Sequence, residues 1–128
     1  MSHFSNIKTQ IRNLESLQAA LTDLGMDWKS GPSPVRGYQG KTQTAAVVVE
    51  QNNDYDIGFS WNGQEYELVA DLQYWQQPLS VDGFLKQLTQ RYAYRTVLGE
   101  TAKQGFQVAE QQVNADGSLR LVVQRWGG

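Results

Sequence analysis

Residues 56–75, DIGFSWNGQEYELVADLQYW, decide the fold. Asn62-Gly63 is the strongest hairpin signal in the chain, because tight hairpin turns need positive φ and these two residues supply it at least cost. Before the turn, Ile57, Phe59 and Trp61 alternate onto one face. After it, Tyr66, Leu68, Ala70, Leu72 and Tyr74 share one face, and Glu65, Glu67, Val69, Asp71 and Gln73 share the other. That alternation predicts antiparallel strands with one side against a core and one polar side.

The pattern extends outward in both directions. TAAVVVEQ (44–51) is β-branched and nearly continuous, as a central strand would be. Residues 3–11 read as a first strand around Phe4, Ile7 and Ile11. Residues 13–24 read as a helix, with Leu14, Leu17, Ala20, Leu21 and Leu24 on one face. Asn13 is suited to its N-cap and Gly25 to the left-handed position that ends it. A short strand, MDWK (26–29), follows. Residues 29–44, KSGPSPVRGYQGKTQT, read as a long irregular loop, punctuated by Gly and Pro and carrying Lys29, Arg36 and Lys41 without an acid. Downstream, Pro78 ends the hairpin's second strand and Ser80 caps a helix running from Val81 to Lys103 or Gln104. Gly99 weakens that helix and Gly105 stops it. FQVAEQQV, the turn NADG and LRLVVQRW close the chain as a hairpin.

The predicted order is β-α-β-β-β-β-α-β-β. It gives an α+β fold: a single antiparallel sheet with two helices on one face, in one domain over 1–128. The order divides into two βαββ halves, with Gly25-Met26 and Gly105-Phe106 in equivalent places, which raises the question of an internal duplication.

Composition narrows the chemistry. The chain of 128 residues has a net charge of −2, no cysteine, one histidine and 16 glutamines. Without cysteine there are no disulfides, thiolate nucleophiles, Cys-zinc sites or iron–sulfur clusters. His3 alone does not suggest a metal site, which wants several ligands together. No cofactor motif is visible. No apolar run is long enough to cross a membrane, and the N-terminus lacks the apolar core of a signal peptide. These features predict a soluble protein of a reducing compartment with no membrane span, for which any attachment to a membrane would run through a partner.

Two constellations stand out. In QRYAYR (90–95), Arg91 and Arg95 lie four apart, and at ~100° per residue both fall within the helix's apolar arc, whereas Tyr94 points away. Either their stems run along the sheet and their heads pair with Asp71, Glu65 or Glu67, or the two forks grip one oxyanion. In the basic loop, Arg36, Tyr38 and Lys41 either hold a phosphate or a base, or form a solvated lid that meets a protein. The spacing Gly37 to Gly40 is a weak phosphate signal, because a strand follows it and not a helix. Trp28 and Trp61 are expected in the core; Trp75 and Trp126 are interface candidates.

Several stretches together resemble one family. MSHFSNIKTQIRNLESLQAALTDLG, VRGYQG and QPLSVDGFLKQLTQRYAYRTVLGETAKQGFQV are similar to the hypothetical chloroplast reading frame thirty-five proteins of cyanobacteria and algal plastids. The resemblance covers essentially the whole chain. It implies a cytoplasmic (cyanobacterial) or plastid-stroma setting near photosynthetic machinery, and it supplies no catalytic residues.

The expected function is therefore that of a protein-interaction module, an assembly or regulatory factor for a photosynthetic complex. RNA or nucleotide binding through the basic loop is the first alternative, disfavoured by the negative net charge. A small-molecule enzyme around Arg91, Arg95 and the strand acids is the second. The residues that carry these expectations are Arg36, Tyr38, Lys41, Trp75, Arg91, Tyr94 and Arg95.

Overall fold

A computed structural model describes residues 3–113 and 119–125. The elements follow in the order β1 (Ser5–Ile11), α1 (Leu14–Asp23), β2 (Lys29–Arg36), β3 (Thr42–Val49), β4 (Ile57–Trp61), β5 (Tyr66–Ala70), α2 (Val81–Lys103), β6 (Phe106–Val113) and β7 (Leu119–Arg125). Five strands form an antiparallel sheet in the order β1-β5-β4-β3-β2.

The hairpin at Asn62-Gly63 sets the register of this sheet. The Asn62 carboxamide oxygen accepts from the amides of Gln64 and Glu65, each at 2.9 Å, and Gly63 takes φ +101°. Trp61 and Tyr66 then pair across the strands with ring centroids 5.0 Å apart. From that pair inward, Phe59 faces Leu68 and Gly58 faces Val69.

Both helices cover the same face of the sheet. Leu17, Ala20 and Leu21 of α1 and Phe84 and Leu88 of α2 pack on Ile11, Val47, Val49, Ile57, Phe59 and Leu68. The caps are those the sequence predicts. Asn13 accepts from Ser16 N and Ser80 from Gly83 N, while Gly25 and Gly105 sit at φ +76° and +81° beyond the helix ends. The opposite face carries a smaller cluster of Val35, Ala45 and Val48, with Phe4 packed against it. Gly58 makes room there, since a Cβ would run into the Val35 side chain.

Several expectations are corrected. The sheet is not single: β6 and β7 pair with each other in a separate two-stranded sheet. That also breaks the βαββ duplication, because β2 and β3 belong to the main sheet whereas β6 and β7 do not. The second strand is not MDWK, and 29–36 is not a loop. Lys29–Arg36 is the edge strand β2, where Pro32 and Pro34 are tolerated because the outer side needs no donors. The irregular segment shrinks to a 3₁₀ turn at Tyr38–Gly40, closed by Gly37 N donating to Lys41 O at 2.8 Å. Finally, β5 stops at Ala70 and not at Trp75, because Asp71 caps a second 3₁₀ turn, Leu72–Tyr74. Its polar face is also not simply solvated: Val69 and Asp71 are buried.

Candidate functional site

The QRYAYR segment fastens α2 to both ends of α1. At the start of α1, the Tyr92 hydroxyl accepts from the amides of Arg12 and Asn13 at 3.1 and 3.0 Å, satisfying donors the helix leaves orphaned. At its end, Asp23 receives both arginines. Arg91 Nε and Arg95 Nε each donate to Asp23 Oδ2 at 2.6 Å, and Arg95 Nη2 donates to Oδ1 at 2.5 Å. An acid in the last turn of a helix opposes the macrodipole, and two guanidinium groups offset that. The hydrogen bonds from Arg95, seconded by Arg91, hold the Asp23 carboxyl down at about 2 despite its burial. Asp23 raises Arg95 in turn.

The pairing with an internal carboxylate holds, but the acid is Asp23, not Asp71, Glu65 or Glu67. Two of the strand acids are occupied elsewhere: Glu67 accepts from Asn6 and Asn62, and Glu65 from Gln10 N; Asp71 is buried at the 3₁₀ turn it caps. Tyr94 does not stand apart from the arginines. Its ring lies 4.3 Å from Arg91 Cζ, a cation–π contact.

The second constellation forms around Arg36. Asp56, at the threshold of β4, is almost fully buried and accepts from Arg36 N, Nε and Nη2 at 2.8, 2.9 and 2.8 Å. Asp54 and Glu50 add contacts at 3.2 and 3.5 Å, and Glu50 also binds Lys29 at 3.0 Å. The Asp56 carboxylate pushes Arg36 above its ordinary range. A stretch without acids is thus neutralised by acids from another loop.

Beside this network lies a cleft of about 390 Å³, lined by Arg36, Gln39, Lys41, Asn53, Asp54 and Tyr55 among others. Three tyrosines stack at its margin. Tyr55 and Tyr74 are 4.0 Å apart between centroids and nearly parallel, and Tyr38 follows Tyr74 at 6.1 Å. Burial pushes the Tyr55 phenol up, and Tyr74 beside it adds to the shift. Buried Gln51 holds the stack in place. Its Nε2 donates to the carbonyls of Tyr55 and Tyr74, and its Oε1 accepts from Gln76 N and Gln77 Nε2. Asn53 Nδ2 reaches Tyr74 O as well, at 2.9 Å. Gln39 and Asp54, on either side of the cleft, both adopt positive φ, a strained conformation for non-glycine residues that functional loops often retain.

The seven candidates therefore fall into two groups. Arg36, Tyr38 and Lys41 meet at the cleft, while Arg91, Tyr94 and Arg95 meet at the end of α1. Trp75 joins neither: it packs edge-on against Phe84 in the core, and its Nε1 donates to Leu79 O at 2.8 Å. Trp28 packs on the core as expected, whereas Trp61 is half exposed at the hairpin end. Trp126 lies outside the described residues, and His3 is exposed. Sequence reasoning missed Asp23, Asp56, Gln51, Asn53, Tyr55 and Tyr74. Only Asp23 left a signal, as an acid at the wrong end of a helix.

The profile of a family described as "Protein of unknown function (DUF1257)" matches residues 20–122. "Uncharacterized protein ycf35" of Guillardia theta is 49% identical over 126 residues, covering 98% of both chains. The chain belongs to the ycf35 family. Relatives carrying the same family name in Cyanophora paradoxa and Pyropia yezoensis are 47% and 45% identical, again over 98% of both chains. No solved structure matches the chain. Among the described residues no helix is long and apolar enough to cross a membrane.

Proposed function

We propose that the protein is a non-enzymatic interaction module that receives a partner protein at the tyrosine cleft, as an assembly or regulatory factor for a photosynthetic complex. One observation carries this reading. Arg36, the strongest anion hook in the cleft, is consumed by Asp56, Asp54 and Glu50. What remains for a visitor, besides Lys41 and the exposed Asp54, is the Tyr55 ring and the carboxamides of Gln39 and Asn53, with the stacked Tyr74 and Tyr38 at the margin. Protein interfaces favour that chemistry at their centres, where Tyr and Arg are enriched and free charge is depleted. The tie from Gln51 holds Tyr55 and Tyr74 in one arrangement, so less conformational freedom has to be lost on docking.

The photosynthetic setting rests on the family resemblance, as does the placement in cyanobacterial cytoplasm or plastid stroma. Attachment to a membrane would run through the partner. The test is affinity capture from a cyanobacterial lysate with tagged wild-type protein and with Tyr55→Ala. The wild type is expected to recover subunits of one photosynthetic complex reproducibly, and the variant to lose them. Recovery of the same proteins by both, or of no such subunit by the wild type, would sink the proposal.

A nucleotide or RNA ligand is the second reading, favoured by Lys41, which forms no ion pair among the described residues and lines the cleft together with Tyr55. It would show as binding that collapses steeply with salt. The three carboxylates around Arg36 work against it.

A further inference from the structure

The two guanidinium groups at the end of α1 do not use Asp23 equally. Arg95 binds it through Nε and Nη2, side-on and bidentate. Arg91 binds it through Nε alone, and its two terminal nitrogens have no hydrogen-bond partner among the described residues. Two positive charges share one carboxylate, so the cluster keeps a net charge of about +1. Arg91 is also held in place. Asp23 fixes its inner nitrogen and the Tyr94 ring lies under its plane, while its side chain stays 36% exposed. A guanidinium whose orientation is already set loses little freedom when it binds.

A second, independent observation comes from Gly99. It follows Arg95 by one helical turn and so continues the Arg91–Arg95 face. Glycine inside a helix costs about 1 kcal/mol relative to alanine. Among the described residues no close packing requires it here, because a Cβ at this position would meet none of their atoms within 4 Å. The bare stretch of helix leaves space for another chain to approach beside the arginines. The buried residues of α2, Phe84 and Leu88, lie in its first half, and Gly99 is exposed.

We propose that Arg91, with Tyr94 and the bare surface at Gly99, is a docking point for a carboxylate on an acidic segment of a partner protein. The carboxylate would take the two terminal nitrogens of Arg91 end-on, the fork geometry that guanidinium groups favour. The segment's backbone would lie against Gly99. The proposal rests on the reading of the protein as an interaction module but not on the cleft. The Tyr55→Ala capture and the test below can therefore fail separately.

The probe is a fluorescently labelled octaglutamate peptide, titrated by anisotropy with the full chain at low ionic strength. The chain's net charge of −2 opposes any diffuse attraction to such a peptide, so binding has to be local. Arg91→Gln is expected to weaken it about tenfold. Gly99→Leu is expected to weaken it several-fold while raising the melting temperature, because leucine favours the helix but fills the approach. That variant keeps the test decisive should Arg91→Gln fold poorly. Lys86→Gln, an exposed charge on the first half of α2, is expected to change nothing. The proposal is overturned if the wild type does not bind the peptide, if Lys86→Gln weakens binding as much as Arg91→Gln, if Gly99→Leu binds as well as wild type, or if labelled octauridylate binds more tightly than the peptide.

Discussion

Asp23 shows how one residue can join two helices. Its carboxyl lies at about 2 in the fold against 3.8 without it. A carboxyl whose folded value is depressed contributes stability that is complete above its unfolded value and is lost as pH falls through the folded one. The window is therefore pH 4 to 2. The shift corresponds to roughly 2.5 kcal/mol at full strength, and screening of its one-third-exposed arginine partners leaves about 1–2 kcal/mol. Asp23→Asn is expected to lose about that much at pH 7 and nearly nothing at pH 2, so its urea midpoint should depend less on pH than the wild type's. Equal losses at both pH values would mean the carboxylate's charge is not what matters. The helical wheel placed both arginines on the apolar arc and so offered a partly buried, paired arginine as one of two readings, because angle around a helix is written in the spacing. It could not name the acid, because the partner helix lies 68 residues away for Arg91 and 72 for Arg95.

At the scale of elements, local signals survived and composition misled. The caps at Asn13 and Ser80 and the stops at Gly25 and Gly105 depend on neighbours within a turn or two, so the sequence alone located both helices. Strand β2 escaped because its glycine and prolines are the residues of loops. They are equally the residues an edge strand tolerates, and edge position is a property of the assembled sheet. Gly31 makes the point testable. It sits where the β2–β3 register shifts between Ser30 and Ser33. A Cβ there would collide with the Ala45 carbonyl oxygen and Ala46 Cα, both backbone atoms that no rotamer change can move aside. Gly31→Ala is expected to lower stability by about 2–3 kcal/mol in urea titration, since overpacking against fixed atoms is costly. At Gly25, where nothing lies within 4 Å, alanine would meet only the penalty of its φ of +76°, so it should cost less. If Gly31→Ala costs no more than Gly25→Ala, the close approach of β2 to β3 is wrong.

For the molecule as a whole, the α+β class and the placing of both helices on one face were legible, because amphipathic helices and alternating strands admit few packings. The separation of β6 and β7 was not. Their sequence pattern is that of ordinary strands, and nothing in it says which sheet they join. Topology carries a consequence for cooperativity. Strands β3, β4 and β5 each have two hydrogen-bonded neighbours and contribute buried residues to the main core. Among the described residues, strands β6 and β7 pair in their sheet with each other, and they also contact α2. A two-stranded sheet has little stability of its own and depends on what it packs against. Native-state hydrogen exchange is expected to resolve two tiers. Paired amides of β3–β5 should open only with global unfolding and respond to urea accordingly. Those of Phe106–Val113 and Leu119–Arg125 should open at lower free energy and with a smaller urea dependence, since less surface is exposed when the hairpin alone detaches. Arg91→Gln acts at the junction of α1 and α2, inside the upper tier, and should lower protection of β3–β5 more than that of β6 and β7. Uniform protection across all seven strands would show instead that the hairpin and the five-stranded sheet fold as one unit.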